Sequence, residues 1–367
     1  MKKIAHLTSV HPRYDTRIFI KECTSLAANG YHVGLIVADG KGDETKNNVR
    51  ILDAGAPNGR LDRMRLAPRR ILDKALILDA DIYHLHDPEL IPIGLHLRQK
   101  GKKVLFDAHE DVPKQLLGKP YLNTPSRWIL SKVFSIYERW ACQNLDAVIA
   151  ATPYLREKFA AMGTRTIDIN NFPLLGELET DDVRWDQRRN QACYVGGIER
   201  IRGIQEVIQA MEMVATGTRL QLGGKFSEPD FETRVRAEPG WERVDALGWL
   251  DRAGVKATLA HSMCGLVTLH PVINYIDALP VKMFEYMAVG MPVIASHFPL
   301  WREIVEGNAC GICVDPLNPN AIAQAIDYLV THPREAESMG RNGQQAVAEK
   351  YNWTMEEAKL LRFYEDL

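Results

Sequence analysis

An α/β chain of two doubly wound domains in series is what this sequence predicts, on three observations. Its 367 residues exceed one ordinary hydrophobic core and suit two domains at about 100 to 200 residues each. Short apolar or β-branched runs alternate with segments of helical periodicity, the mark of parallel strands joined by crossover helices. The alternation stops once, near the middle of the chain, and then restarts.

In order, the first set of strand-like runs covers residues 3–10, 31–38, 81–86, 103–108 and 147–151. A helix is well marked between the first two: Asp15 is placed to cap it, Ile18, Cys23, Leu26 and Ala27 recur on one side, and Gly30 stops it. Residues 170–191, from Asn170 through the acidic stretch Glu177 to Asp182, break the pattern and read as a linker. A second set of strands follows at 192–196, 219–223, 244–249, 264–269, 292–296 and 311–314, and helical patterns close the chain at 319–331, 334–349 and 354–366. The expected boundaries are 1–172 for an N-terminal domain, 173–191 for the linker, 192–350 for a C-terminal domain and 351–367 for a last helix crossing back to the first domain. Ligand sites of such sheets lie at the carboxyl ends of their strands, and a cleft forms where two such edges face.

Hydrophobic residues make up 46% of the chain, charged residues 25%, and the net charge is -2. That balance gives no global pull toward nucleic acid, so any basic surface is local. The basic start Met1-Lys2-Lys3 leads into an apolar run broken by His6 and ended by His11-Pro12-Arg13, too short for a signal peptide. No run of about 18 apolar residues exists to span a bilayer. Six scattered cysteines without a secretory signal suit reduced thiols and a cytoplasmic location.

Three segments carry candidate chemistry. In Asp277-Ala-Leu-Pro280-Val-Lys282-Met-Phe-Glu285, Pro280 suits a helix start and Gly290 its end, predicting a short helix over 280–289. Its amino end and Lys282 favour a phosphate, Glu285 one turn on can accept hydrogen bonds from both hydroxyls of a ribose, and Asp277 is free in a loop to meet a second polyol. The plain alternative is an exposed helix with a Lys282–Glu285 pair. The loop Gly196-Gly197-Ile-Glu-Arg200-Ile-Arg202-Gly203 follows a strand; glycines let backbone approach a ligand and arginine offers a planar fork for phosphate, or the loop is a plain strand-to-helix turn. It lacks the Gly-x-Gly-x-x-Gly dinucleotide fingerprint, as does the first strand's turn, which counts against a dehydrogenase. Third, the run 103–108 ends in Asp107, His109, Glu110 and Asp111, where a parallel sheet exposes catalytic groups, although a lone His there is more often structural.

The stretch 277–294 resembles the signature of the family 4 glycosyltransferases of the GT-B fold: an acid, seven residues, Glu285, a small-residue helix, then Gly290-Met-Pro-Val-Ile294. Asp277 stands where that family has Glu, drawing the carboxylate back by one methylene. The order of the flanking segments extends the resemblance over nearly the whole chain. It implies two Rossmann-like domains facing across a cleft, an N-terminal acceptor domain and a C-terminal nucleotide-sugar domain. It implies retaining transfer of a sugar from a nucleoside diphosphate donor to a saccharide, commonly lipid-linked, in cell-surface polysaccharide or glycan assembly. By the same resemblance Glu285 takes the donor ribose, Asp277 and His109 the donor sugar, and Gly196, Gly197, Arg202 and Lys282 the diphosphate. Family members carry Arg at the position of Gly197, a role that Arg200 is placed to fill. Neither metal nor cofactor is implied. The loop after the first strand lacks the family's Gly-Gly turn, and its His11 and Arg13 suit an acceptor phosphate or acidic sugar, or else a loop folded on itself.

Two metal-like patterns find too few partners in the sequence: His84 and His86 have no evident third ligand, and Cys310 and Cys313 no second cysteine pair. The basic, apolar run from Arg60 to Lys74 suits a peripheral contact with an anionic membrane. Trp128 to Trp140 offers a second aromatic and basic surface, of a kind more often turned to the core. A nucleotide-sugar epimerase and a non-catalytic sugar-binding protein are the alternative functions.

Overall fold

The computed structural model describes residues 2–119, 123–178 and 185–367, apart from the Arg60 side chain, so that side chain and part of the linker reading lie outside the described residues. The chain divides into two compact units, Met1–Asn171 with Met355–Leu367, and Phe172–Thr354.

The first unit is built on β1 (Lys3–Leu7), β2 (His32–Val37), β3 (Glu44–Lys46), β4 (Val49–Asp53), β5 (Ile82–Leu85), β6 (Lys103–Ala108), β7 (Ala147–Ala150) and β8 (Thr166–Asp168). They form one sheet in the order β3-β4-β2-β1-β5-β6-β7-β8, parallel except where β3 runs antiparallel to β4 at the edge. The central strands bury both faces, which is why they read as continuous apolar runs. The sequence runs omit β3, β4 and β8. Two of these are only three residues long, and β4 carries the exposed Arg50 as its second residue, so neither length nor periodicity marks them.

Asp15 caps the first helix, accepting from the backbone N–H groups of Arg17 (2.8 Å) and Ile18 (2.9 Å). The helix does not begin as an α-helix. Thr16–Cys23 winds as a π-helix before Thr24–Ala28 continues in α geometry. Its i→i+5 bonding stacks residues five apart on one face, which turns both Arg17 and Glu22 into the interior.

The second unit holds β9 (Gln191–Val195), β10 (Arg219–Gly223), β11 (Val244–Gly248), β12 (Cys264–Val267), β13 (Val293–Ser296) and β14 (Gly311–Val314), a parallel sheet in the order β11-β10-β9-β12-β13-β14. Trp301, Tyr194 and Tyr286 are fully buried in it. Phe172 and Leu178, from the stretch read as linker, are also buried in this core, where Phe172 meets Phe284 (4.7 Å between ring centroids) and Tyr351 (5.4 Å).

Strand order reverses between β1 and β5 in one sheet and between β9 and β12 in the other. Loops splay apart at the carboxyl ends of strands at such points and leave a crevice. The chain turns there at residues 8–15, 86–87 and 196–203, and in the segment between β12 and the helix Val281–Ala288.

One surface reading changes. Thr124–Gln143 is a 20-residue helix with Trp128, Ile129, Val133, Ile136 and Trp140 exposed, so this aromatic stripe does not face the core. The basic run forms two helices, Gly59–Arg65 and Ala67–Leu78, joined at Leu66, with Leu61, Met64 and Ile77 exposed. Among the described residues no helix is long and apolar enough to cross a membrane.

Glu356 joins the C-terminal segment to the first unit. It is buried, accepts the backbone N–H of Asn170 at 2.8 Å and pairs with Lys359 at 2.6 Å. Glu356→Ala leaves that N–H buried without an acceptor and is expected to cost about 1–3 kcal/mol. The midpoint of urea unfolding should fall accordingly, and much less in Glu356→Gln, which keeps an acceptor oxygen.

Candidate active site

At the end of β6, alternation turns Asp107 and His109 toward the same side of the chain. Asp107 is fully buried and its carboxylate is gripped by Arg17, which donates through Nε (2.9 Å) and Nη2 (2.7 Å) while Nη1 donates to the Ile169 carbonyl (2.7 Å). Burial alone would raise the Asp107 pKa, but the Arg17 guanidinium and then His109 outweigh it and hold the carboxyl well below its usual range. The ionised Asp107 Oδ2 stands 2.8 Å from His109 Nε2 and accepts a hydrogen bond from it, which turns Nδ1 away from the carboxylate.

His11 from the first loop joins this group, its ring 5.1 Å from that of His109. Nδ1 of His11 lies 3.5 Å from Asp15 and Nε2 lies 3.4 Å from Asp87. Burial pulls its pKa down, yet the two carboxylates prevail and lift it above 6.5. Arg13, expected on the acceptor side with His11, is elsewhere. Its fork closes on Asp39 (2.7 and 2.6 Å), it also pairs with Glu44, and the side chain is buried. Arg13 thus ties its loop to the segment after β2, and a planar guanidinium between two carboxylates has no free edge for a ligand.

In the second unit the Gly196-Gly197 turn leaves β9 against the helix Val281–Ala288. Gly196 has φ +141°, and a Cβ there would stand 2.7 Å from Lys282 Nζ. The Lys282 ammonium lies 3.7 Å from the centroid of the Tyr194 ring, is sealed from solvent and has no hydrogen-bond acceptor. Burial first, and the nearby Arg202 second, push its pKa well below 10.5. Arg202 Nε is likewise buried without an acceptor, with Glu199 at 3.7 Å. Gly203, at φ +72°, passes so close to Thr268 that a Cβ would lie 1.9 Å from its carbonyl oxygen. Arg200 is exposed on the same turn.

The Lys282–Glu285 pair of the plain reading does not form. Glu285 Oε1 accepts instead from Arg252 Nη1 (2.8 Å), and Arg252 also pairs with Glu177 (2.7 Å). Asp277 sits partly exposed in the turn between β12 and the helix. Gly196, Arg202 and Lys282 are thus brought together, Glu285 lies one turn along and Arg200 stands at the surface. A buried ammonium without an acceptor and an arginine whose Nε has none, beside a glycine backbone, suit an anion with several oxygens.

Sequence reasoning did not identify Arg17, His86 or Arg252 as parts of these groups. Arg17 lies 90 residues from Asp107 and Arg252 lies 33 from Glu285, and no local spacing announces such pairs. Asp107 shares the strand-end period with His109, a signal that was available. His86, Asp107 and His109 place ligand atoms within 4.8 Å of one another, but Arg17 already occupies both oxygens of Asp107. Cys310 and Cys313 are free thiols and belong to no metal-type cluster among the described residues.

Residues 177–346 match the family described as Glycosyl transferases group 1, and residues 17–170 match Glycosyltransferase Family 4. Phosphatidyl-myo-inositol mannosyltransferase of Mycobacterium leprae is 21% identical over 329 residues, covering 84% of this chain and 80% of that protein. Among solved structures, sucrose-phosphate synthase of Thermosynechococcus elongatus aligns with a TM-score of 0.81 at 20% identity, over 100% of this chain and 99% of that one. Anabaena HepE, solved with UDP and glucose, aligns with a TM-score of 0.77 at 13% identity over 100% of both chains. Likeness at these identities establishes the shared GT-B fold. The epimerase and binding-protein alternatives are not favoured, since the names matched are transferases and a synthase.

The buried Lys282 cation makes stability depend on pH. Its folded pKa lies below the usual 10.5, so the unfolded chain binds the proton more tightly. The cost is full below the folded pKa and is relieved as pH rises toward the unfolded value. Lys282→Met should therefore be more stable than the parent at neutral pH, by a margin that narrows toward pH ~10; urea unfolding across that range measures it.

Proposed function

Because the chain belongs to the family 4 glycosyltransferases, we propose that it moves a sugar from a nucleoside diphosphate sugar to a saccharide acceptor with retention of anomeric configuration. The observation that carries this reading is the Lys282 ammonium, buried without an acceptor beside Gly196 and Arg202. A diphosphate would supply the missing oxygens, with the amino end of the helix Val281–Ala288 adding its partial charge. Glu285 takes the ribose hydroxyls; Arg252 engages one of its oxygens, orienting the carboxylate. Asp277 is assigned to the hydroxyls of the donor sugar.

His109 is the first-unit residue assigned to the donor sugar at its reacting end. Held by Asp107, its ring is fixed in orientation and tautomer, as a group stabilising developing charge must be. Proton transfer from the acceptor falls to the leaving phosphate, so His109 need not act as a base. His11 stands next to it and takes the acceptor side. Named relatives that act on phosphatidylinositol and the exposed Trp128, Ile136 and Trp140 together support a lipid-linked acceptor and a peripheral contact with an anionic membrane on its cytoplasmic face. The product would enter a cell-surface polysaccharide or glycan.

A panel of UDP, GDP, dTDP and ADP sugars tests the reading through melting temperature, since a ligand at 100 times its Kd stabilises by about 2.7 kcal/mol. No shift with any of them sinks it. Glu285→Ala is expected to weaken donor binding about 10- to 100-fold with turnover of bound donor nearly kept. His109→Ala should instead lower kcat by about 100-fold with donor affinity nearly kept, and the reverse pattern would exchange the two roles. Trp128→Ala/Trp140→Ala should reduce sedimentation with anionic vesicles at low salt; unchanged sedimentation would remove the helix from the membrane contact.

A further inference from the structure

Behind the Asp107–His109 pair, three imidazoles and a carboxylate meet in the interior of the first unit. β1 and β5 pair with His6 and His84 in register, and His86 follows two residues on, so alternation turns all three rings to one face of the sheet. The π-winding of Thr16–Cys23 turns Glu22 toward them. All four side chains are buried, and their ligand atoms lie within 4.8 Å of one another. Glu22 Oε2 is almost equidistant from three nitrogens: His6 Nδ1 at 3.8 Å, His86 Nε2 at 3.9 Å and His84 Nδ1 at 4.0 Å.

This group is not satisfied as it stands. Neither oxygen of Glu22 receives a hydrogen bond, although Arg17 Nε is 3.2 Å away. Such atoms are rare in folded proteins and mark places where an ion or water belongs. His86 is already oriented as a ligand. Its Nδ1 meets the ionised Asp107 at 3.2 Å, which fixes the proton there and leaves Nε2 with a lone pair, the arrangement that orients metal-bound imidazoles.

We propose that His6, Glu22, His84 and His86 form a binding site for one divalent transition-metal ion of the zinc type. Three imidazoles and one carboxylate match the ligand preference of such an ion. Ligand atoms of a tetrahedral zinc site lie about 3.4 Å apart, so Glu22 must close on the three nitrogens by roughly half an ångström while His6 Nδ1 and His86 Nε2, 2.9 Å apart, open by as much. On binding, the His6 Nδ1 proton that bridges to His86 Nε2, 2.9 Å away, moves to His6 Nε2 and frees both lone pairs, while the ion replaces the Tyr364 hydroxyl, 2.8 Å from His84 Nδ1. Its positive charge adds to that of Arg17, 3.2 Å from the buried carboxylate. The bound ion ties β1, β5 and the π-helix together beneath the Arg17–Asp107–His109 chain. It takes no part in sugar transfer, so the proposal stands apart from the assigned reaction.

The test is metal content, read by elemental analysis on the full chain, both as purified and after loading with zinc chloride and exhaustive dialysis. Wild type, Glu22→Gln and His84→Ala are compared, with circular dichroism to confirm folding. About one ion per wild-type chain and a roughly tenfold lower retention in each variant are expected. Wild type retaining less than about a tenth of an equivalent overturns the proposal, and so do variants that retain the wild-type content, since the metal then sits on other side chains. If neither variant folds, cobalt(II) loading of the wild type decides: intense visible bands of a tetrahedral site support the assignment, and their absence overturns it.

Discussion

The buried ion pair between Arg17 and Asp107 is the contact from which the first unit's site is built. Arg17 commits its three nitrogens to both carboxylate oxygens and to the carbonyl of Ile169, so one side chain ties the first helix to β6 and to the segment after β8. An ionised carboxylate in a dry interior is tolerated only with such a partner, and losing one member strands the other at a cost of about 3–5 kcal/mol. What the pair secures is an acceptor of fixed position and charge beneath His109. The imidazole orientation is set by that acceptor.

The second unit is organised on the opposite principle. Lys282 and Arg202 hold buried nitrogens without acceptors, close enough that Arg202 disfavours the charge on Lys282. Their positions are set by the helix Val281–Ala288, by the absence of a side chain at Gly196 and by the approach of Gly203 to Thr268. The folded core carries the cost of this repulsion. On the proposed reading a polyanion would relieve it, so that part of the binding free energy would come from strain already present in the free protein. The first unit's carboxylate is internally neutralised, while the second unit keeps cationic nitrogens without acceptors.

The sequence disclosed most of this architecture because buried parallel strands are apolar along their whole length. The runs 103–108 and 264–269 needed no tertiary knowledge, whereas three-residue β8 and the Arg50-bearing β4 escaped because their pairing is decided by neighbours. The site was legible where chemistry is local: His109 at a strand end, and Lys282 with Glu285 on one helix. Partners supplied from afar were not, which is why Arg17, Arg252 and the approach of His6 and Glu22 to His84 and His86 came only with the fold. Arg13 misled for a related reason. An arginine in a loop looks available, and only the arrival of Asp39 and Glu44 shows that it is already paired. The stripe from Trp128 to Trp140 misled in reverse, since aromatic spacing on a helix does not say which face meets solvent.

The π-winding of Thr16–Cys23 sets an unusual limit on how this segment can vary. Such a turn is equivalent to an α-helix carrying one extra residue. Removing one residue between Arg17 and Glu22 would therefore let the helix relax to ordinary α geometry with the two charges four apart and still on one face. Removing Arg17 or Glu22 itself would instead take a charge out of the buried constellation. The segment thus tolerates a change in residue count better than a change in the identity of its two charged ends.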